Sequence, residues 1–204
     1  MNIRLIRHCE TDWNKLEKCQ GISDIELNET GLKQSRFLKK YFLNKEIDII
    51  FSSDLKRALK TSEIINENLN CTIVKSKELR EMDQGDFEGL TFKFIRSNHK
   101  NELDKWRENP RGFRIPNGET LGEAQKRAID YINQIVINYN KMKNIVIVSH
   151  NLVISSVLCY YLNKDLVDFG KFTIDSGSIS KLKLEKSKIN VEEINFTDHL
   201  NNHD

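Results

Sequence analysis

The residues that could do chemistry stand where apolar runs stop. Ile3 to Ile6 is a strand-like run, and it ends in Arg7, His8, Cys9 and Glu10. A cation, an imidazole, a thiol and a carboxylate in a row admit three chemistries. His8, Cys9 and Glu10 could ligate a metal ion. Cys9 could be a nucleophile as its thiolate. His8 could be the nucleophile, with Arg7 steering an anion. Two further apolar runs end in the same way. Ile47 to Phe51 is followed by Ser52, Ser53 and Asp54, with Arg57 one helical turn on. Asn144 to Val148 leads into Ser149 and His150.

Two imidazoles and two guanidiniums brought together suit an anion with several oxygens, above all phosphate. Arginine presents a planar fork of donors matched to such oxygens. The metal alternative fares worse, because a cationic Arg beside a ligand His opposes a bound cation. His8 and Cys9 are also adjacent, so on a strand they point to opposite faces. The thiol alternative lacks a glycine-rich phosphate cradle after Cys9. Taken singly, each of these residues is more often structural or solvated; their joint placement at strand ends is what lifts them. His99, in a charged helical stretch, and His199 and His203, near the C-terminus, lack that context and read as surface residues.

Such residues need a scaffold that carries strand ends to one edge. Apolar runs at 3–6, 47–51, 71–74 and 144–148 alternate with helical patterns. Ala58, Ser62, Ile65 and Leu69 recur at helical spacing. Leu121, Ala124, Ala128, Ile132 and Ile135 do the same after a capping box of Thr120 and Glu123. Further helices are expected over 152–162 and 92–106. The alternation predicts an α/β three-layer sandwich with a mainly parallel central sheet flanked by helices. In such open sheets ligands bind outside the carboxyl ends of the strands. Both prolines, Pro110 and Pro116, fall in the expected loop 107–120.

The bulk properties exclude other classes. At 204 residues, 30% of them charged, the chain suits one soluble globular domain. The expected domain covers residues 1–196, followed by a polar tail over 197–204. A net charge of +2 gives no overall field for nucleic acid. No apolar run approaches the roughly 20 residues of a membrane helix. The strand pattern begins at once, leaving no room for a signal peptide, so a cytoplasmic location is expected. Cys9, Cys19, Cys71 and Cys159 form no CxxC pair, and Cys71 and Cys159 are expected to pack as small apolar residues. The expected partner is a small phosphorylated substrate, with neither nucleic acid nor membrane. A homodimer is compatible with the sequence.

These residues also carry a resemblance. "LIRHCETDWN" resembles the RHGETxWN signature of the histidine phosphatase superfamily, in its phosphoglycerate-mutase-like branch. "QGISDIELNETGLKQS", "IIFSSDLKRALKTSEII", "LREMDQGDFEGLT", "NGETLGEAQKRA" and "IVIVSHNLVI" resemble later motifs of that family, in order, to about residue 180. The resemblance implies a phosphoglycerate-mutase-like fold and a metal-independent phosphomonoester hydrolase that works through phosphohistidine and needs no cofactor. It implies His8 as nucleophile and Glu81 as proton donor to the leaving group. Arg7, Arg57 and a protonated His150 would clamp the phosphoryl oxygens, joined by Asn14. Gln20, Gly21 and Asn151 would border the substrate entrance.

"FRIPNGET" and "DSGSIS" resemble the bacterial α-ribazole phosphatases of cobalamin synthesis. Broad-specificity phosphatases and cofactor-dependent phosphoglycerate mutases are the alternatives. The mutases carry a longer insertion than residues 85–117 allow, which favours hydrolysis. A non-catalytic phosphate-binding relative would have lost part of the set His8, Glu81, Arg7, Arg57 and His150, which is complete. Two positions depart from the family. Cys9 stands where the family has Gly, and is expected to pack under the site without a chemical part. Asn151-Leu152 stands where Gly-Gly is usual. Lys105, Arg107, Arg111 and Arg114 form a cationic loop, read as a solvated face ahead of a substrate contact.

Overall fold

The structure is a computed structural model that describes residues 1–201. Its frame is a six-stranded sheet in the order β3-β2-β4-β1-β5-β6. The first half of the chain supplies β1 (Asn2–Arg7), the short α1 (Asp12–Lys15), α2 (Glu29–Phe42), β2 (Ile49–Ser53), α3 (Lys56–Asn66) and β3 (Thr72–Ser76). Then come α4 (Phe92–Asn98), α5 (Lys100–Glu108), α6 (Leu121–Asn138), β4 (Asn144–Ser149) and α7 (Asn151–Tyr161). A hairpin of β5 (Ile179–Glu185) and β6 (Lys188–Phe196) completes the sheet.

The central strands explain their own position. β4 reads NIVIVS and is buried from Ile145 to Ser149, so both its faces need cover. It pairs in parallel with β1 on one side and β2 on the other, setting Leu5 and Phe51 beside Ile147. Alternate residues then feed two cores. Ile3, Leu5, Ile145 and Ile147 pack with Leu121, Ala128 and Ile132 of α6 and Val153 and Val157 of α7. Ile6, Ile50, Val146 and Val148 pack with Leu38 and Phe42 of α2 and Ala58 and Ile65 of α3. This is the expected three-layer sandwich. Four strands run parallel, and β5 joins β1 antiparallel at one side.

Three expectations are corrected. The helix over 92–106 is two helices, broken at His99. His99 lies half-buried against Phe87 and Phe94, at centroid distances of 5.6 and 6.0 Å, and is not a surface residue. His199 is also half-buried. It stacks on Phe196 at 5.5 Å, and its Nε2 lies 3.0 Å from the Gly177 carbonyl. The stretch after Phe196 is therefore held at its start, where a short 3₁₀ turn, Asp198–Leu200, packs on α2. His203 lies outside the described residues.

Candidate active site

Arg7 and His8 leave the end of β1 at the carboxyl edge of the parallel strands. The two rims of β1 are held there by main-chain bonds: His8 N–H donates to the Ser149 carbonyl of β4, and Arg7 N–H to that of Ser178. The Arg7 Nη1 donates to the Ile174 carbonyl at 2.6 Å, while its buried Nε has no partner among the described residues. The His8 ring is 3% exposed, and its Nδ1 lies 2.7 Å from the Cys9 carbonyl. A carbonyl only accepts, so Nδ1 carries the proton and Nε2 keeps its lone pair. Burial first, then the positive charge of Arg57 and Arg7, holds the His8 pKa well below the usual imidazole value. His8 is therefore a neutral imidazole with one free nitrogen.

Cys9 faces the other way. Its thiol is fully buried in the core under α2 and α3, within van der Waals reach of the space above Gly177. Its N–H donates to the Thr61 hydroxyl. Burial pushes the thiol pKa up to about 11, so the thiolate that reactivity requires is absent at neutral pH. The two side chains part just past the end of β1, His8 to the cleft and Cys9 to the core.

Arg57 sits at the N-terminal turn of α3 and is fully buried. Its fork is spent on the loop after α1: Nη1 donates to the Ser23 carbonyl and Nη2 to the Gly21 carbonyl, both at 2.7 Å. Burial lowers its pKa to about 10, which still leaves it cationic at neutral pH. Its Nε donates to His150 Nδ1 at 3.3 Å, and His150 Nε2 lies 2.8 Å from the Ser53 hydroxyl. An imidazole whose Nδ1 accepts is neutral. Burial, Arg57 and His8 all lower the His150 pKa, burial most. The expected protonated His150 is thus corrected: the fixed positive charge comes from the two arginines. The His8 and His150 rings stand 5.0 Å apart.

Glu81 reaches the site from the segment after β3. α7 begins with no side-chain cap of its own. Glu81 fills that role from outside, accepting from Leu152 N–H at 3.2 Å and Val153 N–H at 3.3 Å, and from Met82 N–H at 2.9 Å. These donors are main-chain N–H groups, so the cap does not depend on which side chains stand at Asn151 and Leu152. Burial, the largest effect, raises the Glu81 pKa against those hydrogen bonds and the two arginines. Asn14 closes a capping box with Thr11, whose hydroxyl also donates to Gln20 Oε1 at 3.0 Å.

Arg7, His8, Asn14, Gln20, Arg57, Glu81 and Asn151 all line one cleft of about 790 Å³. His150 lies behind Arg57, and Gly21 contributes its carbonyl to the same arginine. The far wall of the cleft is apolar, with Phe87, Ile95, Leu103, Trp106 and Leu152, and Arg96 and Arg107 join it. Of the cationic loop only Arg107 lines the cleft; Arg114 turns away to Glu123 and the Gly118 carbonyl. Among the described residues no cluster of three His, Cys, Asp or Glu side chains could hold a metal ion.

Sequence reasoning missed the supporting residues. Glu88 accepts from Ile22 N–H at 2.7 Å and Ser23 N–H at 2.8 Å, and so fixes the loop that holds Arg57. Arg127 and Glu119 grip the Glu81 segment. All three lie inside the quoted motifs, but nothing in their spacing says which backbone they touch.

Comparison with known proteins gives the family. The family model of the histidine phosphatase superfamily, branch 1, matches residues 3–197. The chain is 33% identical over 196 residues to the uncharacterized phosphatase PhoE of Bacillus subtilis, covering 96% of this chain and 95% of that protein. It is 29% identical over 196 residues to phosphoserine phosphatase 1 of Hydrogenobacter thermophilus, covering 96% and 92%. A phosphoserine phosphatase of Entamoeba histolytica, solved in complex with phosphoserine, superposes with a TM-score of 0.88 at 26% identity, covering 98% of each chain. With its fold, its ordered motifs and nearly its whole length matched, the chain belongs to branch 1 of the histidine phosphatase superfamily.

Proposed function

We propose that this protein is a metal-independent phosphomonoester hydrolase that works through a phosphohistidine at His8. One observation carries the proposal. A neutral His8, its Nδ1 bound to the Cys9 carbonyl, shares a cleft with the half-buried Arg7, the buried guanidinium of Arg57 and a buried carboxyl. Arg7 and Arg57 neutralise a phosphate dianion and the charge that spreads over its equatorial oxygens. Asn14, on the cleft wall, adds a side-chain donor in this reading. Nε2 of His8 forms the bond to phosphorus as the ester P–O bond breaks. Glu81, kept protonated by burial and by the arriving dianion, gives its proton to the departing oxygen. In the second step the ionised Glu81 takes a proton from water, whose oxygen attacks phosphorus. The N–P bond breaks, inorganic phosphate leaves, and Glu81 is protonated again. Gln20, Gly21 and Asn151 border the entrance.

The substrate is a phosphomonoester with an apolar or planar body, of the kind α-ribazole phosphate presents in cobalamin synthesis. The apolar wall and a volume fit for a drug-sized ligand support this reading over a small, fully polar substrate. Phosphoserine is the second reading, favoured by the named relatives. We assign the enzyme to the cytoplasm, where its four free thiols suit a reducing compartment. Residues 1–196 form the catalytic domain in this reading. Turnover of p-nitrophenyl phosphate is expected to be unchanged by EDTA. Turnover abolished by EDTA and restored by a divalent cation would overturn the mechanism. In a substrate panel, kcat/KM is expected to be higher for α-ribazole phosphate than for phosphoserine or 3-phosphoglycerate; the reverse order would select the second reading.

A further inference from the structure

The motif "NGETLGEAQKRA" has no part in the chemistry above, yet two of its side chains are committed to the acid's own segment. Arg127, on α6, uses every donor of its guanidinium. Nη1 donates to the Glu78 and Arg80 carbonyls, each at 2.8 Å, and Nη2 to the Glu81 carbonyl at 3.0 Å. The remaining donors go to Glu119, from Nη2 at 2.7 Å and from Nε at 3.4 Å. Glu119 in turn accepts from Asp83 N–H at 3.0 Å and donates its own N–H to the Asp83 carbonyl. Ser149 Oγ donates to the Leu79 carbonyl at 2.8 Å. Four consecutive carbonyls, from residue 78 to 81, are thereby held from outside the segment. Backbone approach completes the cradle: a Cβ on Gly118 would lie 2.5 Å from the Asp83 carbonyl oxygen.

The 3₁₀ turn Lys77–Leu79 uses only the Lys77 carbonyl, through Arg80 N–H, so the carbonyls that follow must find partners elsewhere. Here one planar fork supplies three of them, a geometry that lysine cannot reproduce. We propose that Arg127, oriented by Glu119, is a positioning residue that holds the carboxyl of Glu81 against the leaving-group oxygen. The proposal rests on the reading of Glu81 as the general acid. Neither Arg127 nor Glu119 lines the cleft, so both act through the backbone that carries Glu81.

The test separates positioning from mere support by varying the leaving group. A nitrophenolate departs without a proton, whereas an alkoxide needs one. kcat/KM reports the phosphorylation step alone, so it is measured for p-nitrophenyl phosphate and for glycerol 2-phosphate. In Glu81→Gln the glycerol phosphate value is expected to fall by about 10²-fold or more, the scale of general acid catalysis, and the nitrophenyl value far less. Arg127→Ala is expected to show the same selectivity at about 10-fold or more, with Arg127→Lys and Glu119→Gln between it and wild type. These two milder variants carry the test if Arg127→Ala does not fold, as judged by circular dichroism. Selective loss in Glu81→Gln, with equal loss on both substrates or none in the Arg127 and Glu119 variants, overturns the positioning role. Unselective loss in Glu81→Gln itself overturns the acid assignment beneath it.

Discussion

In the proposed mechanism His8 acts as a nucleophile because of a backbone atom next to it. The Cys9 carbonyl fixes the Nδ1 proton, and burial among arginines keeps the ring neutral. The identity of His8, Arg7, Arg57 and Glu81 was legible in the sequence, because each follows a strand or lies in a family motif. The protonation of His150 was not. It depends on which nitrogen faces Arg57, and no spacing in the chain encodes that direction. The two histidines also make a prediction about stability. Both have folded pKa values below the unfolded value of 6.5. On acidification the unfolded chain binds protons first, so their contribution is full above 6.5 and is lost as pH falls below it. Glu81 is shifted the opposite way, so its contribution is full below 4.5 and is lost as pH rises. Melting temperature in phosphate-free buffer is expected to fall from pH 7.5 to 5.5, by calorimetry, and the fall to be shallower in His150→Asn. An unchanged slope in that variant would refute the assignment of a neutral, buried His150.

Elements differ in how openly the sequence declares them. α6 announces itself, with its capping box and its buried stripe both formed as read. α2 does not, because its inward positions include Gly31 and Ser35 beside Leu38 and Phe42, and the apolar period fades. The β5–β6 hairpin turns on Lys186 and Ser187, both at positive φ, +46° and +67°. Such a turn is ordinarily marked by Asn-Gly, and its absence hid the hairpin. The loop from Gln20 to Ser23 holds Arg57, and the proposed phosphate binding depends on it. Gly21 has φ +52°, and a Cβ there would lie 1.7 Å from Glu88 Oε1. Gly21→Ala is expected to displace the carbonyl that holds Arg57 and to raise KM by about 10-fold or more, the scale of one charge-assisted hydrogen bond. Steady-state kinetics with inorganic phosphate as competitive inhibitor checks this. An unchanged KM and inhibition constant would show that Arg57 needs no such support.

The whole molecule gathers the ends of three parallel strands and one edge segment around one cleft, the proposed anion site. That gathering was legible, because an open α/β sheet delivers its strand ends to one edge. The cleft's far wall was not. It joins Ile95 of α4 and Leu103 and Trp106 of α5 to Phe87 and Leu152, a tertiary arrangement that no local pattern announces. Nor was the clamp of α6 on the Glu81 segment, which joins side chain to backbone across 46 residues of sequence. The central claim is that phosphorus passes through His8. Rapid quenching of the enzyme with a radiolabelled phosphomonoester tests it most directly. The account predicts a transient label that is stable to alkali, labile to acid, mapped to the peptide bearing His8 and absent in His8→Ala. A label on Cys9 or on a serine, or full turnover by His8→Ala, would contradict it.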